Sequence, residues 1–271
     1  MFVHLKRRIG VLSAIAVTAA LLPVLTASVA SAIPATALAP QIVTNAATYS
    51  ACPTGSAAAA GFTDTTSTDV DCIAMHGITT GVTATTYEPT ANVPRWQMAL
   101  YLTRMATSAG VTLGSGADQG FTDISGYSAA IQTAINQIKQ LGVTVGKTAT
   151  TYAPDDNVTR EEMAMFLDRA LATMAGGPGG ITTAGGNNLL GLNVNSTVTG
   201  TGQYNYDDID SGSVTFEGHN SIVEIYQLGV TGDLSTVRAF NPSSAITRAT
   251  MATWLTNALA HTNARPAGLW L

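Results

Sequence analysis

The sequence predicts a mainly α protein built from three tandem helix-loop-helix repeats. Three observations carry this. An arginine-led apolar segment occurs three times, as VPRWQMALYL (93–102), VTREEMAMFL (158–167) and ITRATMATWL (246–255). Its internal spacing is held: proline lies six residues before the arginine (Pro89–Arg95, Pro154–Arg160, Pro242–Arg248), methionine three after it and leucine seven after it. A glycine-bearing reversal, IAMHGITTG (73–81), IKQLGVTVG (138–146) and IYQLGVTG (225–232), begins its glycine 18, 18 and 19 residues before that arginine. Fixed registers at intervals of this length are the signature of a repeat architecture.

The chain opens with Lys6, Arg7 and Arg8, an apolar run from Ile9 to Leu25, and the small-residue site Ala30-Ser31-Ala32. That is the three-part layout of a secretory signal peptide over 1–32. The run is too short and wrongly flanked for a comfortable bilayer span, and a retained N-terminal anchor is the alternative. The mature chain is therefore expected to be exported and without a membrane span. Loss of those three cations takes the formal net charge from −5 to −8. Duplex nucleic acid, which needs a broad basic surface, is an unsuitable partner. Any anion bound here must be met by a few placed cations.

An extension, 33–61, follows. It carries Cys52, and Cys72 lies just inside the first repeat. Outside the cytoplasm an even cysteine count favours a disulfide, contributing ~3 kcal/mol; two separate thiols are the alternative. The three remaining histidines, His76, His219 and His261, show no metal-ligand spacing. No metal and no cofactor is expected.

Repeat one spans 62–108, repeat two 121–174 and repeat three 206–262. Each opens on an aromatic-Asp signal: Phe62-Thr63-Asp64, Phe121-Thr122-Asp123 and Tyr206-Asp207-Asp208. A first helix follows. In repeat two, Ile131, Ile135 and Ile138 share one face and Gly142 ends the helix. The matching stretch of repeat one, TTSTDVDCIAMHG, is polar and a weaker helix. After the reversal, Tyr87, Tyr152 and Phe240 stand near the loop prolines and read as anchors packing on the core. The second helix is clearest, with apolar positions at +3, +4, +6 and +7 from the arginine and an aromatic at +6 (Tyr101, Phe166, Trp254). Between repeats two and three lies a Gly-rich linker or insert, 175–205, in which Leu190, Leu192 and Val194 could alternate as a short strand. A tail, 263–271, closes the chain.

These residues, in this order, resemble the S-layer homology (SLH) family. Its pattern is Phe-x-Asp, an apolar helix, Gly-Ile-x-x-Gly, an aromatic near a proline, and Thr-Arg-Ala-Glu opening a second helix. Residues 62–106, 121–170 and 206–258 follow it. The resemblance implies a pseudo-threefold helical bundle with grooves between repeats, binding secondary cell-wall polysaccharide or another peptidoglycan-linked glycan, often with a pyruvate ketal on a terminal sugar. The family's groove arginine falls on Arg95, Arg160 and Arg248. Beside them, Trp96, Gln97 and Glu162 become candidate glycan contacts. The motif is incomplete: Pro94, Trp96 and Gln97 replace its other members in repeat one, Glu161 replaces alanine in repeat two, and Thr250 replaces glutamate in repeat three.

Local chemistry leaves the arginine open. Thr159 and Glu162 form a capping box, which puts Arg160 in the first helical turn, where a cation is disfavoured by up to about 1 kcal/mol. Two partners fit it. One is internal, the recurring Asp64, Asp123 and Asp208, as a bidentate pair between repeats. The other is an acidic ligand. The later arginines, Arg104 and Arg169, with Asn257 in repeat three, read as solvated helix ends. Trp96 fits either stacking on a sugar or packing. Asp207, Asp208 and Asp210 read as helix-capping and solvated side chains, since the full calcium-loop spacing is missing.

The expected function is non-covalent anchoring at the cell wall or cell surface. The alternative is a structural S-layer or coat subunit capable of self-assembly, although little chain lies outside the repeats to build a lattice. An enzyme is not expected: no nucleophile-base order, metal motif or phosphate loop stands out.

Overall fold

The computed structural model describes residues 50–53, 55–174, 206–210, 212–233 and 237–264. The expected signal peptide, the Gly-rich 175–205 with its Leu190–Val194 alternation, most of the extension (33–49) and the tail from 265 lie outside the described residues. The described part is helical, with six helices and no strand beyond isolated bridges. In chain order they are α1 (Thr68–Met75), α2 (Arg95–Ser108), α3 (Ala129–Gln140), α4 (Arg160–Thr173), α5 (Phe216–Gln227) and α6 (Arg248–Leu259).

Helix starts follow from side-chain chemistry where the sequence offers it. At α4 the Thr159 hydroxyl accepts from Glu162 N while Glu162 reaches back to Thr159 N, the reciprocal box. Thr215 and Thr247 cap α5 and α6 singly, accepting from Gly218 N and Thr250 N. Pro94 opens α2 with no side-chain cap. There the orphan amides of the first turn are satisfied from elsewhere: Arg95 N donates to Asp156 O and Trp96 N to Pro154 O, both at 2.9 Å. The same pair of bonds joins Arg160 and Glu161 to Ser244 and Pro242, and Arg248 and Ala249 to Ala91 and Pro89. At the far ends of the first helices, Gly142 (φ 76°) takes the left-handed conformation that closes α3.

The helices pair across segments rather than within them. α2 packs on α3, α4 on α5, and α6 returns to α1, with a smaller contact between α4 and α6. A ring of backbone bonds runs through the middle: Val93 N to Ile246 O (3.1 Å), Ile246 N to Val158 O (2.8 Å) and Val158 N to Val93 O (2.9 Å). These three residues sit in the core, with Met98, Met163 and Met251 and the leucines at +7. α1 is eight residues long and buries Val70, Cys72 and Ile73. It is secured by polar ties to α6, with Thr253 Oγ1 donating to Asp69 Oδ2 (2.6 Å). Cys52 and Cys72 form a disulfide that fastens residues 50–53 to α1.

Candidate functional site

The three arginines occupy three equivalent stations, each built from two segments. Arg95 Nε donates to the carbonyl of Tyr152 (2.8 Å), Arg160 Nε to that of Phe240 (2.5 Å), and Arg248 Nε to that of Tyr87 (2.6 Å). Each guanidinium lies against the ring of that same residue, at 4.7, 4.7 and 4.5 Å. A second ring, from the +6 position of the next arginine helix, faces it: Phe166 for Arg95, Trp254 for Arg160, Tyr101 for Arg248. The loop aromatics are fully buried, as expected of anchors, and the +6 aromatics are nearly so. Both kinds also serve as π faces for a cation. Tyr152 and Tyr87 return the contact, their hydroxyls donating to the carbonyls of Arg95 and Arg248 (2.8 Å each). Burial pushes both phenols well above their usual range. Phe240 has no hydroxyl to offer.

The recurring aspartates do not pair with these arginines. Asp123 accepts from Tyr152 N (2.9 Å) and Ala153 N (2.7 Å), Asp64 from Tyr87 N and Glu88 N, and Asp208 from Phe240 N and Asn241 N. Those bonds hold the residue before each loop proline at positive φ: Glu88 59°, Ala153 55°, Asn241 56°. A non-glycine residue is strained there, and two amide donors converging on one carboxylate stabilise it. The same amides depress the Asp64 carboxyl. Asp208 is thus a loop clamp rather than a helix cap; its neighbour Asp207 pairs with Arg238, and Asp210 closes the turn at Gly212–Ser213.

The later arginines are also not solvated ends. Arg104 Nη1 donates to Ile78 O (2.9 Å) and Arg169 Nη1 to Val143 O (3.2 Å), while Asn257 Nδ2 donates to Val230 O (3.1 Å). All three carbonyls follow the first glycine of a reversal, so this position fixes the loop. Arg169 further pairs with Glu217. The second glycine of the reversal allows close approach: a Cβ at Gly81 would lie 2.4 Å from the Phe62 ring, and one at Gly146 2.6 Å from that of Phe121.

The stations differ in what meets the guanidinium tip. Arg95, 2% exposed, forms an ion pair with Glu162 (3.3 Å) from the next segment. The same Glu162 oxygen also meets Lys147 (2.5 Å). Arg248, equally buried, donates from Nη1 to Gln97 Oε1 (3.0 Å) and the Tyr101 hydroxyl (2.5 Å), and its Nη2 has no hydrogen-bond partner among the described residues. Among the described residues neither Arg248 nor the half-buried Arg160 has a carboxylate within ion-pair distance. At Arg160 the corresponding side chain is Thr250, which bonds instead to Thr247.

Arg248 borders a cavity of about 270 Å³, lined also by Thr79–Val82 of the first reversal and by Trp96, Gln97, Tyr101 and Arg104 of α2. The six candidate residues therefore sort into different stations. Trp96 and Gln97, adjacent to Arg95 in sequence, belong to the cavity of Arg248, and Glu162 belongs to Arg95. The turn of the helix explains this, since successive residues point about 100° apart. Arg104, Tyr101 and Lys147 were not singled out from sequence as site residues. The +9 recurrence of Arg104 and Arg169 was the available signal.

Residues 120–164 match the S-layer homology domain. A 94-residue part of the chain, 34% of its length, is 36% identical to an endoglucanase from Bacillus sp. (strain KSM-635), of which the alignment covers 9%. An S-layer homology domain implies association with the cell surface, and such domains generally bind cell-wall glycans. No helix among the described residues is long and apolar enough to cross a membrane.

Proposed function

We infer that the protein is an exported module of three SLH units in a pseudo-threefold bundle, which anchors non-covalently to a secondary cell-wall polysaccharide, pyruvylated or otherwise acidic. The observation that carries this is the arginine station repeated at all three junctions, with one guanidinium bordering a cavity beside an indole. A guanidinium fork suits a sugar carboxylate, and an aromatic face suits a sugar ring. The cyclic pairing of helices and the ring of backbone bonds support reading all three segments as SLH units, beyond the matched 120–164. For the Arg248 cavity binding is favoured over glycoside hydrolysis, which ordinarily needs a pair of carboxylates, because none lines it among the described residues.

Retention on purified wall sacculi tests the reading. The protein should co-sediment with native sacculi and remain in solution when the wall polymer has been stripped chemically. Equal retention on native and stripped sacculi would sink it.

A further inference from the structure

The first segment carries a side-chain cluster that takes part in no arginine station. Cys72 lies in α1 and His76 is that helix's C-cap. Four residues apart, they share one helix face. Cys52 arrives from the chain ahead of the repeats and is bonded to Cys72. The ligating atoms of Cys52, Cys72 and His76 all lie within 4.8 Å of one another. Two thiolates and an imidazole are the donor set of a zinc-type site. At a Zn–S bond of about 2.3 Å, tetrahedral sulfur donors stand about 3.8 Å apart. The two cysteine Cα atoms, 5.7 Å apart, are within reach of that spacing as well as of a disulfide.

The His76 ring is prepared independently of the sulfurs. Its Nδ1 bonds to Ser108 Oγ (2.9 Å) at the end of α2, an outer partner that fixes the ring. Its Nε2 is buried and has no hydrogen-bond partner among the described residues, a costly state for a ring nitrogen. Burial lowers the His76 pKa below its ordinary value, with the Ala51 carbonyl opposing. The imidazole is therefore neutral at pH 7, the form that ligates a metal. The neighbourhood also needs a crosslink. α1 is eight residues long and Ser67 gives it no side-chain cap bond, so it is too short to persist alone.

We propose that Cys52, Cys72 and His76 form a redox-gated site for a thiophilic divalent cation, Zn²⁺, filled when the disulfide is open. A dithiol reductant supplies two electrons. The S–S bond breaks, each sulfur takes up a proton, and the reductant leaves as its own disulfide. Zn²⁺ then displaces both thiol protons and binds the two thiolates and Nε2. Among the described residues no further His, Cys, Asp or Glu joins the group, so water takes the fourth position. A disulfide oxidant reverses the sequence, drawing two electrons from the thiolates as the S–S bond re-forms and Zn²⁺ leaves. The metal thus staples residues 50–53 to α1 under the reducing conditions in which a disulfide does not persist.

The test is a cobalt titration of the full chain, reduced anaerobically with a phosphine and followed by absorption. Co²⁺ should give thiolate charge-transfer bands and the visible bands of tetrahedral coordination, saturating at one ion per chain. Zn²⁺, which binds such donors more tightly, should bleach them. The disulfide form should give neither. His76→Ala should weaken Co²⁺ at least about tenfold, and Ser108→Ala about tenfold with the tetrahedral spectrum kept. His76→Cys should restore tight binding with stronger charge-transfer absorption, which a purely structural role for His76 does not produce. If α1 loosens on reduction, the cation should restore the helical circular dichroism as it binds. A reduced chain with no tetrahedral spectrum, whether or not its helix content has fallen, would overturn the proposal. So would Co²⁺ binding by His76→Ala as tight as by the unaltered chain, or the same spectrum from the disulfide form.

Discussion

At Arg95 a carboxylate from the next segment meets the guanidinium; at Arg248 an amide and a phenol do so instead. Everything behind the tip is the same in both places: the Nε bond to a loop carbonyl, the tyrosine ring beneath, and the hydroxyl returned to the arginine's own carbonyl. The comparison separates two roles that one residue can hold. The Nε and the aromatic faces make the arginine a structural joint between segments. The Nη atoms carry charge that the joint does not require, and that charge is cancelled at one junction and left at the other.

The shared frame is tested first, because its loss has the largest effect. Tyr152→Ala and Tyr87→Ala each empty a fully buried ring site under an arginine and should destabilise by roughly 3–5 kcal/mol, measured by urea unfolding. If one junction tolerates the change, the frames are not equivalent. Asp123→Ala leaves two loop amides without their carboxylate at a strained residue and should cost about 1.5–3 kcal/mol, with faster proteolysis at Ala153–Asp156. Removing only the hydroxyl, in Tyr152→Phe or Tyr87→Phe, should cost about 1 kcal/mol at either junction. The Phe240 junction already lacks that bond, so Phe240→Tyr is the reciprocal variant.

A smaller effect lies behind the Arg95 junction, between α4 and α5. Asp168 is 2% exposed and accepts from Ser221 Oγ (2.7 Å). Burial raises its carboxyl above the usual range, with hydrogen bonds from Glu224 and Ser221 opposing. Folding therefore takes up a proton: the stabilisation is present below the ordinary carboxylate pKa and is lost as pH rises through the raised value. Asp168→Asn should melt higher than the unaltered protein at pH 8, and the difference should vanish towards pH 4. A pH-independent difference would mean that Asp168 is not protonated on folding.

Much of this architecture was legible in the chain. Thr159 and Glu162 announced a capped helix, the +3, +4, +6 and +7 stripe announced its buried face, and Gly142 announced the end of the helix before it. Three junction features were not. The aspartates looked like arginine partners because both recur, but no local rule links Asp123 to the amides of Tyr152 and Ala153 across 29 and 30 residues. The positive φ before each loop proline was the hidden demand they meet. The sharing of residues among junctions was equally hidden, because helices pair across segments. Trp96 next to Arg95 in sequence belongs with Arg248 in space. Arg104 and Arg169 looked like solvated ends for the same reason: their acceptors lie on loops that sequence proximity does not reveal.

The most direct measurement is co-sedimentation with native sacculi of the Arg248→Lys and Arg95→Lys variants, each checked for a retained fold by circular dichroism. Lysine keeps a positive charge but loses the planar fork and its stacking. The account predicts that retention falls on the order of tenfold or more for Arg248→Lys and little for Arg95→Lys. Equal loss from both variants, or loss from Arg95→Lys alone, would contradict it.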